Sequence, residues 1–361
     1  MKNRKAAKSG VTLRDVAQES GVSAATVSIV LNNAPLARYI PPSTKDRIER
    51  AAKKLGYRPK DVSRFLSAKR NRTVGVMVFD ITDPFCTLIL RGIENSLYQA
   101  SYLPILTDVH NQRGRFERYL EVLLARQVEA LVFVANWLFV DIDLLADLEK
   151  RNIPAVMIAR ELSGSISSVM VDNEAGAHLA IEHLYSLGHR KIAFIRGPKM
   201  LADSAPRWRG VRSFARSVGL EIDPALVVDL PDSLDPNSGF EGGFKIIEEF
   251  LKHKKRFTAV MAFDDMTAFG AIRGLARAGL KVPEDCSVIG FDDVMLAGLS
   301  VPSLTTVRQP MEALGSAAVG IVLEAINSAI EEREFEVVHR KLPPELVVRE
   351  TTRSIPWSGA D

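Results

Sequence analysis

The sequence predicts an α/β chain: an N-terminal three-helix helix-turn-helix head, then two doubly wound parallel-sheet subdomains. Three observations lead there. Between Thr12 and Asn32, in TLRDVAQESGVSAATVSIVLN, two short segments of helical apolar spacing meet at Gly21-Val22-Ser23. Residues 1–72 carry 17 Lys/Arg against 5 Asp/Glu, whereas the remainder carries 30 against 39, so by charge only the first fifth binds polyanions. From Thr73 onward, short apolar runs alternate with longer helical segments, the pattern of parallel sheets covered on both faces.

A chain of 361 residues holds two or three domains and a sizeable core. The N-terminal MKNRKAAKSG is basic, but no apolar run follows it and no stretch approaches the length of a membrane span, so a cytoplasmic protein is expected. Cys86 and Cys286 are too few for a disulfide framework and too isolated for zinc; both are read as reduced packing residues.

In the head, Leu13, Val16 and Ala17 mark one helix and Val27, Val30 and Leu31 the next. Thr12 caps the first with Asp15 three residues on, and Ser23 caps the second, whose N-terminal amides then point outward. After an irregular loop, APLARYIPPS, the stretch TKDRIERAAKKLGY makes a third helix with the apolar stripe Ile48, Ala51, Ala52 and Leu55. Lys45, Arg47, Arg50, Lys53 and Lys54 lie on its solvent side, serving either solubility or phosphate contact. The boundaries read as a head at 10–58, a basic linker at 59–72 with Pro59 placed to begin a short helix, and a two-lobed domain at 73–350.

In that domain the strands are TVGVMVFD, LPILTD, ALVFVA, PAVMIA, SVMVD, KIAFIRG, LVVDL, AVMAFDD and SVIGFDD. Ligands of such sheets bind at the carboxyl ends of the strands, so the cleft between the subdomains is the expected site. The glycines of GFEGGF sit inside a helical stretch and form no phosphate loop. The six histidines are scattered, and His178 and His183, five apart on one helix, point to different faces. No catalytic set, metal site or cofactor is expected.

The stretch LRDVAQESGVSAATVSIVLNN, the later LGYRP, and a final GFDD with TTVRQP resemble the lac repressor (LacI/GalR) family of bacterial transcription regulators, in the right order over nearly the whole chain. The resemblance implies a homodimeric repressor that binds double-stranded operator DNA and is switched by a small-molecule effector, a sugar or related metabolite; the alternative is a periplasmic-type sugar-binding protein without a DNA role, which would need an export signal and no basic head. It implies a periplasmic-binding-protein-like sensor, and a dimer interface on the helices after Phe85 and after Asp265. The effector's identity and its sign, inducer or corepressor, stay open.

On the second helix Ala24, Ala25 and Ile29 face outward, with Thr26, Ser28 and Asn32 beside them. The first three match the family's base-contacting positions. Being apolar, they can meet thymine methyls but form no bidentate bond to guanine or adenine; the alternative is that they pack against the head and the loop reads DNA. Replacing Ile29 with Arg is expected to shift the preferred base. In the linker the resemblance makes Leu66 a minor-groove wedge, with Val62 and Ser63 facing the partner hinge.

The resemblance also maps effector contacts onto Asp83, Phe85, Asp172, Asp203, Ser204, Arg207, Asp264, Asp265 and Asp292. Several carboxylates in one cleft suit a polyol, a sugar or an amine-bearing metabolite better than an anion. Each Asp has helix capping as its alternative, weightiest for Asp172 and Asp265. Two departures stand out: Ala205 where lactose-type repressors hold an arginine, and Leu234 in place of an aromatic that stacks on the sugar. Trp137 and Trp208 are the candidates to stack instead, or are core.

Overall fold

The computed structural model describes residues 11–31, 35–57, 71–135, 148, 153–161, 166–233, 235 and 238–355. Asn32, Val62, Ser63, Leu66, Trp137 and Leu234 lie outside them. The chain forms two compact units, one ending at Asn71 and one starting at Arg72.

The first unit begins with α1 (Leu13–Ser20), held by a capping box in which Thr12 and Asp15 bond reciprocally. Gly21 ends it in the left-handed conformation, φ 63°, which a residue with a Cβ adopts only at a cost. The chain then turns into α2 (Ala24–Leu31), where Ser23 Oγ accepts the Thr26 N–H at 3.1 Å. The expected irregular loop contains a 3₁₀ turn, Pro35–Tyr39. Helix α3 (Pro42–Leu55) starts two residues before Thr44 because Pro42 suits a first helical turn. Val16, Val27 and Ile48, one from each helix, meet in the core, and Lys54 Nζ pairs with Glu19 Oε1 at 2.6 Å.

Among the described residues the second unit contains two six-stranded sheets. The nine anticipated strands are β1 (Thr73–Val78), β2 (Leu103–Asp108), β3 (Ala130–Val134), β4 (Ala155–Ile158), β5 (Ser167–Val171), β6 (Ile192–Arg196), β7 (Val227–Asp229), β8 (Ala259–Met261) and β9 (Ser287–Asp292). Three more were not anticipated: β10 (Thr305–Arg308), β11 (His339–Leu342) and β12 (Glu345–Val347). The first sheet runs β11-β5-β4-β3-β1-β2 and the second β12-β10-β9-β8-β6-β7, parallel throughout except for β12 on β10.

Helices α4 (Pro84–Gln99) and α5 (Arg113–Ala125) follow β1 and β2 and bring apolar residues to opposite faces of the first sheet. The second sheet is covered by α6 (Asn173–Ser186) and α7 (Ser204–Val218) on one face and α8 (Ser238–Lys252) and α9 (Asp265–Arg277) on the other. A short α10 (Met295–Leu299) follows β9. The chain crosses between sheets three times: after β5, after β10 and after β11.

The expectation that no stretch approaches a membrane span is corrected by helix α11 (Met311–Ile330), which is long and apolar enough to cross one. In this fold it is a core helix: Leu314, Ala318 and Val322 are buried against Ile89, Ile93 and Leu97 of α4 and the first sheet. Gly92 and Gly315 let the two helix backbones approach, since a Cβ on either would meet the other's carbonyl oxygens.

Candidate functional site

Each sheet has a point where strand order reverses, at β1 between β2 and β3 and at β6 between β7 and β8. A crevice opens at the carboxyl end of a sheet at such a point. Residues after β1, β3, β6, β8 and β9 line one cleft of about 1040 Å³, counting its open mouth.

From the first sheet come Asp80, Asp83 and Phe85. Asp80 is buried, accepting from Thr82 N–H at 2.9 Å and from Asn111 Nδ2 at 3.2 Å. Asp83 caps α4, its Oδ1 accepting the Phe85 N–H at 3.0 Å. Burial, together with the like charges of Asp264, Asp80 and Asp203, pushes the Asp83 carboxyl up to about 6.

From the second sheet, Arg207 in the first turns of α7 organises its neighbours. Its Nε donates to Asn173 Oδ1 at 2.8 Å and its Nη1 to Phe263 O, while Nη2 stands 3.5 Å from Asp292 and 3.7 Å from Asp203. The guanidinium lies over the rings of Phe291 at 3.7 Å and Phe263 at 4.5 Å. Asn173 Nδ2 also donates to Asp203 Oδ1 at 3.0 Å. Burial raises the Asp203 and Asp292 carboxyls, most strongly Asp292, against the pull of Arg207. Asp292 has φ 119°, a conformation L residues rarely adopt. Asp264 caps α9, Oδ1 accepting the Thr267 N–H at 2.7 Å.

Of the residues assigned to the effector, Asp83, Phe85, Asp203, Arg207, Asp264 and Asp292 line this cleft. Three do not. Asp172 caps α6 through the Ala175 N–H at 3.0 Å; its neighbour Asn173 is the one that reaches Arg207. Asp265 is buried beneath the cleft, its carboxylate accepting from Thr306 Oγ1 and from Val294 N–H at 2.9 Å. Ser204 donates its hydroxyl to Pro198 O.

Ala205 is exposed and does not line the cleft, whereas Arg207, expected there, does. Trp208 does not line it; its ring meets Phe194 edge-on at 5.6 Å and carries Arg196 at 4.9 Å. Sequence reasoning missed Asp80, Asn111, Asn173 and Gln309. Gln309 had a signal, since it lies within TTVRQP, and Asp80 closes TVGVMVFD.

In the head, Ala25 is exposed, Ile29 half-buried, and Ala24 packs in part against the core, so it does not face fully outward as expected. Thr26 bonds Ser23, with their hydroxyl oxygens 2.8 Å apart. No group of three or more potential metal ligands occurs among the described residues.

Two family models match the chain: "Bacterial regulatory proteins, lacI family" over residues 12–60 and "Periplasmic binding protein-like domain" over 181–352. The HTH-type transcriptional repressor CytR of Escherichia coli K12 is 31% identical over 347 residues, covering 96% of this chain and 97% of that protein. The HTH-type transcriptional repressor PurR of Serratia proteamaculans is 34% identical, covering 92% and 95%. Among solved structures, the lac repressor dimer bound to operator and the anti-inducer ONPF matches with TM-score 0.80 and 28% identity, covering 96% of this chain and 100% of that one. A head built on a helix-turn-helix, a two-sheet sensor and similarity along nearly the full length lead to one conclusion: the chain belongs to the lacI family of bacterial regulatory proteins and is a DNA-binding transcription regulator.

Proposed function

We propose that this regulator is a cytoplasmic repressor, without enzymatic activity, that grips operator duplex as a homodimer and changes affinity when a polyhydroxylated small molecule fills the cleft. The observation that carries the effector reading is the Arg207 cluster. A buried arginine stacked between two rings, with Asp203, Asp292 and Asn173 arrayed around it, presents the donors and acceptors that bind vicinal hydroxyls.

The division of labour is a head at 10–58, a hinge at 59–72 carrying Val62, Ser63 and Leu66, and a sensor at 73–350. Helix α2 offers Ala25 and Ile29 to base edges, and Thr12, Ser23, Thr26 and Ser28 lie near enough on the same motif to serve the backbone. In the sensor, a ligand bound by residues of both sheets draws the lobes together through the three crossing segments. A coupling of about 1–3 kcal/mol is enough for a 5- to 150-fold switch.

The test is a duplex selected from a random library by the purified full-length protein, then titrated against random duplex at moderate salt. A two-fold-related site bound far more tightly than random sequence is expected. No preference over random duplex, with or without added metabolites, overturns the reading.

A further inference from the structure

Among the described residues six carboxylates line the cleft, Asp80, Asp83, Asp203, Asp235, Asp264 and Asp292, against a single cation, Arg207. That cation faces Asp292 and Asp203 at 3.5 and 3.7 Å and donates to Asn173 and the Phe263 carbonyl, away from Asp83 and Asp264 in its bonding. Asp80 is occupied by Thr82 and Asn111. Asp83 and Asp264, one from each sheet, make no ion pair among the described residues. Each uses Oδ1 to cap the helix behind it, and a helix N-terminus offsets only about half a charge. Part of each negative charge therefore faces the cleft, where like charges repel.

Two further features bear on the same cleft. Phe79 and Phe85 line it beside Phe263, whose ring carries Arg207, and aromatic faces attract positive charge. Beside Asp264, Gly239 of α8 keeps room open: a Cβ there would stand 3.3 and 3.4 Å from the two Asp264 oxygens and 3.1 Å from Thr267 Oγ1. That threonine hydroxyl, behind the cleft lining, is fully buried and has no hydrogen-bond partner among the described residues.

We infer that the effector carries a protonated amine beside its hydroxyls, and that its ammonium sits between Asp83 and Asp264 while Arg207, Asp203 and Asp292 take the hydroxyls. The inference rests on the effector-switched reading and narrows its ligand class. It also supplies the force that closes the cleft, because a cation held from both sheets turns their mutual repulsion into two attractions. Burial first, and then the like charges of Asp264, Asp80 and Asp203, raise the proton affinity of Asp83, and a cation beside it would oppose that rise.

The experiment uses the full-length protein at neutral pH and calorimetric titration with matched pairs: glucosamine and glucose, galactosamine and galactose, N-methylglucamine and sorbitol, with N-acetylglucosamine as the uncharged amide. The amine of a pair is expected to bind at least tenfold more tightly than its hydroxyl twin, and acetylation or Asp83→Asn or Asp264→Asn to erase the difference. A neutral twin that binds as tightly overturns the inference. Ligand-free melting is a second measurement that decides the matter whatever the panel yields. Asn keeps the capping oxygen and removes the charge, so each variant is expected to melt a few degrees higher; variants that melt no higher overturn it. The duplex selection contains no amine, so it fails or succeeds separately.

Discussion

Gln309 clasps Asp292 twice: its Nε2 donates to Asp292 Oδ1 at 2.6 Å and its backbone N–H to Asp292 O at 3.3 Å. The clasp holds a residue whose φ of 119° costs about 1–3 kcal/mol by itself. Asp293, next in the chain, is anchored by Arg308 at 2.7 Å and Arg349 at 2.6 Å. The strain sits on the carboxylate that faces Arg207, and the surrounding bonds over-determine it.

Replacing Gln309 with Ala is therefore expected to lower stability by about 1–3 kcal/mol, the range for losing a hydrogen bond to a buried charged group, with only the 3.5 Å contact to Arg207 left on that oxygen. Gln309→Glu is expected to cost more, because it sets a second carboxylate against Asp292. Urea denaturation checks both, and a Gln309→Ala protein as stable as the parent would sink the idea.

Arg207→Met keeps the stem between Phe263 and Phe291 but strips Asp203 and Asp292 of their cation. A loss of about 3–5 kcal/mol is expected, as for breaking a buried pair from one side. Comparing denaturation midpoints at low and neutral pH separates charge from packing: acid, by neutralising the carboxylates, is expected to recover much of the loss.

The Asp265 carboxyl is pushed up to about 7 by burial, with Asp264 and Asp293 adding to the rise. Its proton is held more tightly folded than unfolded, so the stability it lends is complete below the ordinary carboxylate pKa of about 4 and fades as pH rises through 7. Stability measured from pH 5 to 8 is expected to fall less steeply in Asp265→Asn than in the parent. An unchanged slope would contradict the assignment.

Helices α8 and α9 meet through Gly243 and Gly270, whose missing side chains make room for the opposite backbone: Gly270 against Phe240 O and Gly243 against Thr267 O. Backbone cannot yield as a flexible side chain does. Gly270→Ala is expected to cost about 1–3 kcal/mol or more from overpacking, and thermal melting reads it.

On the reading helix, Ala25 is the most open of the three apolar positions. Ala25→Arg is expected to create a preference for guanine worth about 1–3 kcal/mol at one base pair of each half-site. Repeating the selection with the variant checks this; an unaltered consensus would move base reading elsewhere on the head.

Nine strands were legible because each is an apolar run between turn signals. The three that were not have other sources of stability. Thr305 and Thr306 of β10 are fully buried but satisfied by hydroxyl bonds to Thr352 and Asp265, so their polarity hides a core strand. Strands β11 and β12 are short, half-exposed edges that read as loop. At the cleft, strand-end aspartates were visible, but capping and ligand contact use the same residue type at the same place. Only three-dimensional placement separates Asp264 from Asp265, or Asp172 from Asn173. The side chains that hold others, Gln309 and Asn111, carry no periodic signal at all.

The order in which the sheets are completed has a consequence for synthesis. Strand β11 pairs with β5 to finish the first sheet, yet it leaves the ribosome only after β6 through β10 of the second. At typical translation speeds the flank of β5 stands bare for on the order of ten seconds, with peptide groups ready to recruit another chain. A product that terminates before His339 never acquires its guard strand, and such nonsense fragments are expected to precipitate rather than persist as partial sensors.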